Sequence, residues 1–236
     1  DHHSALFERF LKYPTTKPRQ PTVVNGIDKI LDWLRKNETY ATFFVVGELL
    51  QYKPQLLDKI LDGGHEIGFH TMYHTRLDAI GFREKFDDEL KIFDTLTSGK
   101  SKGFRAPTFS LNNSSAWAID ILAKNGYLYD SSIVPAKTSM YGMPDAESKP
   151  YRISSNILTK NDPQGKMMEF PLLVTKFFGK KIPAAGGFYV RILPSKIITD
   201  AITRNDEKEI PSCLYVHSWE LTPEFMPKIP MSLKDN

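Results

Sequence analysis

The sequence predicts an α/β fold, and three observations carry that expectation. Short β-branched or aromatic runs recur along the first half of the chain. Each is followed by a segment whose apolar residues repeat at helical spacing. Glycines stand where those helices should stop. The usual solution for such alternation is a parallel sheet with helices outside, either open or closed into a barrel. The 236 residues suit one domain, close to the ~250 typical of a closed (β/α) barrel.

In chain order, Ile27, Ile30, Leu31 and Leu34 mark a first helix. Thr39 to Val46 reads as a buried strand, being β-branched and aromatic. Leu56, Ile60 and Leu61 share a helical face that Gly63-Gly64 ends. Glu66 to His70 is a short strand, Phe82 to Leu96 a helix, and Gly103 to Arg105 a strand running into Ala106-Pro107. Ser114 to Asn125 is a helix with Gly126 as its stop, and Tyr127 to Tyr129 a further strand. From Ile133 to Pro211 repeated prolines loosen the pattern. Met168 to Leu173, Phe188 to Leu193 and Leu214 to Trp219 read as strands there, and Pro194 to Ile202 as a helix. No linker separates the halves, so a single domain over residues 1–236 is expected.

Composition excludes several classes. Lys and Arg number 31 against 28 Asp and Glu, a surplus of three that argues against nucleic acid. No uninterrupted apolar run approaches the ~20 residues that span a bilayer, and no signal-peptide pattern stands at the start. The single cysteine, Cys213, rules out an internal disulfide and reads as a small core residue. A lone thiol fits a reducing compartment, so the cytoplasm is the expected location. The chain opens on Asp1-His2-His3 and closes on Leu233-Lys234-Asp235-Asn236. Both ends look interrupted, which leaves secretion or anchoring open.

Three segments carry chemistry. In Gly64-His65-Glu66-Ile67-Gly68-Phe69-His70-Thr71-Met72-Tyr73-His74, the last two histidines are four apart. In a helical turn that spacing puts both imidazoles on one face, able to grip one metal ion. Such pairs are also common on surfaces and in satisfied cores; His65 lacks the spacing and reads as structural. In Gly103-Phe104-Arg105-Ala106-Pro107-Thr108-Phe109, an Arg at a strand end can hold a carboxylate by two hydrogen bonds, although an ordinary surface Arg before a turn has the same look. In Leu214-Tyr215-Val216-His217-Ser218-Trp219-Glu220, a His at a strand end could serve as an acid or base near neutral pH, or sit hydrogen-bonded in a core.

These segments in this order resemble the polysaccharide deacetylases with NodB homology, the family-four carbohydrate esterases. His70-Thr71-Met72-Tyr73-His74 is similar to the family's His-Ser/Thr-x-x-His motif. Arg105-Ala106-Pro107 is similar to its Arg-x-Pro-aromatic motif, with Phe109 one place later than usual, and Leu214 to His217 to its late histidine motif. Tyr129 to Ile133, Glu169-Phe170-Pro171, Gly186 to Arg191 and His217 to Leu221 look like the exopolysaccharide-associated subgroup. The resemblance covers about Val24 to Pro227.

The resemblance implies a distorted (β/α) barrel and a hydrolase that removes an N-acyl group, acetyl first, from an amino sugar or polysaccharide. It implies a divalent ion, zinc first with cobalt, manganese or nickel as alternatives, held by His70, His74 and a carboxylate. His217 would protonate the departing amine, and Arg105 would orient an Asp base. Trp219, Arg191 and Phe109 are the implied substrate contacts, and Glu169 could buttress the site. The departure is at the front, where members carry a strand ending in an Asp-rich motif. Asp1 could be the last acid of that motif and the third metal ligand, with the base upstream of it. His2 and His3 read as solvated. A carbohydrate or another small acyl amide is the expected partner. The alternatives are an inactive sugar-binding member of the same fold, a hydrolase of a non-sugar amide or formamide, and a plain interaction module.

Overall fold

A computed structural model of the protein describes residues 22–225. Its main sheet has six strands: β1 (Thr42–Val45), β2 (Glu66–Phe69), β3 (Gly103–Phe104), β4 (Tyr129–Asp130), β5 (Tyr151–Ile153) and β6 (Met167–Glu169). Their order is β1-β2-β3-β4-β6-β5. All neighbours are parallel except β5, which pairs antiparallel with β6 at the edge. Among the described residues the sheet does not close on itself. Strands from both halves of the sequence form it, so the change of texture near Ile133 does not divide it. A separate hairpin joins β7 (Val174–Phe177) and β8 (Lys180–Pro183).

The helices follow from the apolar spacing. Helix α1 (Ile27–Lys36) buries Ile27, Ile30 and Leu34. Helix α2 (Gly47–Tyr52) is short, and α3 (Gln55–Asp62) buries Leu56 and Ile60 and stops at Gly63. Helix α4 (Arg83–Thr97) buries Phe86, Leu90 and Phe93. Phe93 packs its ring 4.7 Å from that of Phe69 on β2, which also meets Phe104 of β3 at 5.7 Å. Each such fully buried side chain contributes roughly 1.5–3 kcal/mol. Helix α5 (Trp117–Lys124) buries Ala118, Ile119 and Leu122. A second, smaller core gathers Phe109, Val134, Ala136, Leu172, Leu173 and Ala201.

The space in front of the short central strands is set by glycine. A Cβ on Gly103 would lie 2.2 Å from the Tyr129 ring, and one on Gly68 2.6 Å from Phe44. Both rings therefore lie flat against the strand backbone, which only a residue without a side chain permits.

Two expected strands are something else. Phe188 to Leu193 lies mostly in helix α6 (Gly187–Ile192). Gly186 turns the chain there at φ 86° and Gly187 packs against Glu220. Leu214 to Trp219 is not a strand either. Cys213 makes one parallel bridge to Leu172, Leu214 and Val216 are exposed, and Ser218–Leu221 forms helix α8. The expected helix after Pro194 is α7 (Ser195–Asp206).

Candidate active site

The polar candidates collect at the carboxyl ends of the parallel strands. His70 follows β2, Arg105 follows β3, Asp130 ends β4 and Glu169 ends β6. Parallel α/β folds keep their sites there. The seven described candidates (His70, His74, Arg105, Phe109, Arg191, His217 and Trp219) all line one cavity of about 1080 Å³. Asp1, the proposed carboxylate ligand, and His2 and His3 lie outside the described residues.

The histidine pair is brought together differently from the expected helical turn. Residues 70–74 form no helix; Thr71 and His74 both take left-handed backbone, at φ 57° and 58°. The carbonyls of Thr71 and Met72 accept from Gly47 and Glu48 N–H at the start of α2, and Met72 N–H donates to Glu89 Oε2. These bonds hold a backbone path that would otherwise cost energy. The two imidazoles end 5.0 Å apart, centre to centre, and both are buried.

His70 Nδ1 lies 2.6 Å from the carbonyl oxygen of Arg105. A carbonyl only accepts, so Nδ1 carries the proton and Nε2 carries the lone pair. This is how metal-bound histidines are usually oriented. Burial, with the nearby His74, holds the His70 pKa well below the ordinary range, which keeps the ring neutral. The residues present therefore fit a divalent cation. Among the described residues no third His, Cys, Asp or Glu joins the pair as a cluster.

Arg105 is 8 % exposed, so it is not the ordinary surface Arg of the alternative reading. Its fork does not hold a carboxylate among the described residues. Nε donates to the Ser131 carbonyl at 2.8 Å and Nη2 to Ser131 Oγ at 2.7 Å. The guanidinium sits 4.4 Å from the Phe44 ring centre. Cys213, expected in the core, is half-buried at the same place, 3.4 Å from Ser131 Oγ and 3.5 Å from Arg105 Nη2.

Beneath this arginine lies a carboxyl pair. Asp130 and Glu169 are register partners on β4 and β6 and are fully buried. Asp130 accepts from the Ser132 hydroxyl and N–H, and Glu169 Oε1 accepts from Ile133 N–H. Burial raises both pKa values, Glu169 well above its usual range with Asp130 adding to the shift. Both carboxyls therefore hold their protons to higher pH than free carboxyls do. Asp130, Ser131 and Ser132 are all buried, and Glu169, named as a possible buttress, is interior.

At the other wall, His217 Nδ1 is 3.3 Å from Glu220 Oε2, which also accepts from His217 N–H at 2.8 Å. Burial lowers the His217 pKa and the Glu220 contact opposes that. The His217 ring stacks on Trp219 at 5.1 Å and 16°. Arg191 pairs with Glu220 Oε1 at 3.5 Å, so it balances a carboxylate. Phe109, at φ 51°, is mainly core, its ring 5.1 Å from both Tyr141 and Tyr215. Glu220 and Phe44 were not singled out from the sequence. The three-residue step from His217 to Glu220 is a capping-box spacing and could have flagged the first; nothing local flags the second.

The fold and cavity place the chain among the α/β proteins that assemble polar sites at the strand ends of a parallel sheet. Residues 20–129 match the family model described as Polysaccharide deacetylase, which supports the resemblance read from the motifs. Residues 131–236 match a second model, described as Domain of unknown function (DUF3473). Among curated relatives, the Peptidoglycan deacetylase-like protein FGM2 of Gibberella zeae is 29% identical over 152 residues, covering 61% of this chain and 44% of that one. The Peptidoglycan-N-acetylmuramic acid deacetylase PdaA of Bacillus subtilis is 43% identical over 96 residues, 37% of this chain and 36% of that one. The chain thus spans less than half the length of these relatives. A Mycobacterium smegmatis structure described as a polysaccharide deacetylase superposes with a TM-score of 0.55 at 20% identity, over 84% of this chain and 65% of that one. Puue Allantoinase gives 0.53 at 19% identity, over 82% and 60%. These two likenesses concern the fold. Among the described residues no helix is long and apolar enough to cross a membrane.

Proposed function

We propose that this protein removes an N-acyl group, acetyl in the first instance, from an amino sugar within a saccharide, with a bound divalent ion. The observation that carries this reading is the buried His70–His74 pair whose first member is oriented by the Arg105 carbonyl. Relatives named as peptidoglycan deacetylases support the choice of an acylated sugar amine. A family-like order of motifs along one chain supports microbial surface polysaccharide as the setting.

His70 and His74 would hold the ion, zinc first, with a carboxylate from the chain outside the described residues, for which Asp1 is the candidate. When bound, such an ion lowers the pKa of a coordinated water and polarises the acyl carbonyl. His217 supplies the proton to the departing amine, and Glu220 holds its ring in place. Arg105 shapes the cavity floor through Ser131 and is the candidate to orient an Asp base from outside the described residues. Trp219 and Arg191 line the cavity wall where the acyl group and sugar would lie. A single domain over residues 1–236 is part of this proposal, since both halves build the walls.

The test is metal content together with acetate release from N-acetylated chitooligosaccharides. About one ion per chain, lost in His70→Ala and His74→Ala, with acetate released, is the expected result. Metal without acetate moves the search to other acyl groups. Protein that takes up no metal overturns the catalytic reading and leaves a sugar-binding member of the fold.

A further inference from the structure

The stretch of chain from the β7–β8 hairpin through helix α6 differs in charge from the rest. Between Phe170 and Thr199 stand five basic residues, Lys176, Lys180, Lys181, Arg191 and Lys196, and no Asp or Glu. The whole chain has a surplus of three positive charges, so everything outside this stretch is net acidic by two. Arg191 and Lys196 are paired with Glu220 and Asp200. Lys181 Nζ donates to the Pro144 and Ala146 carbonyls. Among the described residues Lys176, Lys180 and Lys181 make no ion pair with a carboxylate.

The hairpin tip breaks two rules at one residue. Phe177 faces Lys180 in the register, so Phe178 and Gly179 are the two turn residues, with φ 45° and 77°. That is the type I′ geometry, for which Asn-Gly is preferred. A bulky aromatic at positive φ is strained. Phe178 is also 91 % exposed, its ring 4.5 Å from that of the exposed Phe177. The fold gains nothing from an aromatic there that Asn would not supply at lower strain. Strain and exposure together therefore point outward, to something the tip meets. Phe188 and Ile192 on α6 add exposed apolar surface within the same acid-free stretch.

We propose that the β7–β8 hairpin docks the protein on an anionic lipid bilayer, with the Phe177–Phe178 tip entering the interface and Lys176 and Lys180 facing the headgroups. Aromatic rings favour the interfacial layer, and clustered lysines favour anionic lipid. The two rings stand at 74° to each other, so they offer no flat platform for stacking on a sugar. The Phe178 ring projects outward from the tip. Helix α6 also lines the cavity, so docking would bring the cavity wall toward the headgroup layer.

The experiment is co-sedimentation of the full chain with phosphatidylcholine vesicles, with and without phosphatidylglycerol. Binding is expected only with the anionic lipid and is expected to weaken with salt. Phe178→Asn should weaken it by roughly five-fold while leaving the melting temperature unchanged or higher, because the turn is relieved. Lys176→Glu combined with Lys180→Glu should weaken it by about ten-fold or more. No binding to anionic vesicles, or equal binding by the variants, overturns the proposal. Hairpin-dependent retention on alginate without vesicle binding also overturns it, in favour of an anionic glycan. Neither readout involves the metal or acetate release, so failure here is separate from failure of the deacetylase reading.

Discussion

His70 donates its Nδ1 proton to the backbone carbonyl of Arg105 at 2.6 Å, across the adjacent parallel strands β2 and β3. The bond ties the orientation of one imidazole to the backbone of the following motif, not to its guanidinium. Substitution of the Arg105 side chain should therefore act on the cavity floor and leave the tautomer of His70 in place.

That separation gives a first prediction. Removing either imidazole should abolish tight zinc binding, with affinity falling at least about 100-fold in His70→Ala and His74→Ala. Arg105→Lys should bind zinc within a few-fold of the parent. Competition with a chromophoric chelator measures all three; an unaltered affinity in both alanine variants would remove the pair from the site.

Arg105→Leu should cost stability rather than metal. The Ser131 carbonyl loses the Nε donor and Ser131 Oγ loses the Nη2 donor, both at buried positions. Lost charge-assisted bonds of this kind cost roughly 2–4 kcal/mol. Urea unfolding is the measurement, and a change below about 0.5 kcal/mol would contradict the structural role.

Glu169→Gln should change how stability depends on pH. Burial, then the Asp130 charge, holds the Glu169 carboxyl well above its ordinary 4.5. A raised carboxyl binds more protons folded than unfolded. Its contribution is full below pH 4.5 and is lost as pH rises through the folded-state value. Glutamine keeps the shape and cannot ionise. The parent should therefore lose more stability than the variant between pH 4 and pH 8. Identical pH profiles would mean that Glu169 is ionised in the folded protein.

Gly187→Ala tests the other wall. A Cβ there would stand 1.5 Å from the Glu220 carboxylate, so the carboxylate must move away from His217. Overpacking of this kind costs roughly 1–3 kcal/mol. If Glu220 holds His217 for proton delivery, acetate release should fall in kcat more than KM changes. A fall confined to KM would place Glu220 in substrate binding instead.

Much of this was readable along the chain. Helices α1, α3, α4 and α5 were legible because one buried face writes a period of 3.6 into the sequence. Strands β1 to β4 were legible as short runs set between the helical segments. The strands expected at Phe188 and Leu214 failed for the opposite reason: their apolar residues are exposed at the cavity rim, so periodicity there reports no core. The hairpin β7–β8 went unseen because its turn uses Phe178-Gly179 in place of a recognisable turn pair.

The sequence by itself determined which residues could do chemistry. Spacing and order brought His70, His74, Arg105 and His217 forward and tied them to one family. It could not assign their bonds. Among the described residues Arg105 bonds Ser131, and Glu220 became the partner of both His217 and Arg191. Asp130 and Glu169, 39 positions apart, became one buried pair through strand register. Those outcomes depend on which strands lie side by side and how far each is staggered. That is fixed by the packing of the whole sheet against its helices, and no local stretch of chain contains it.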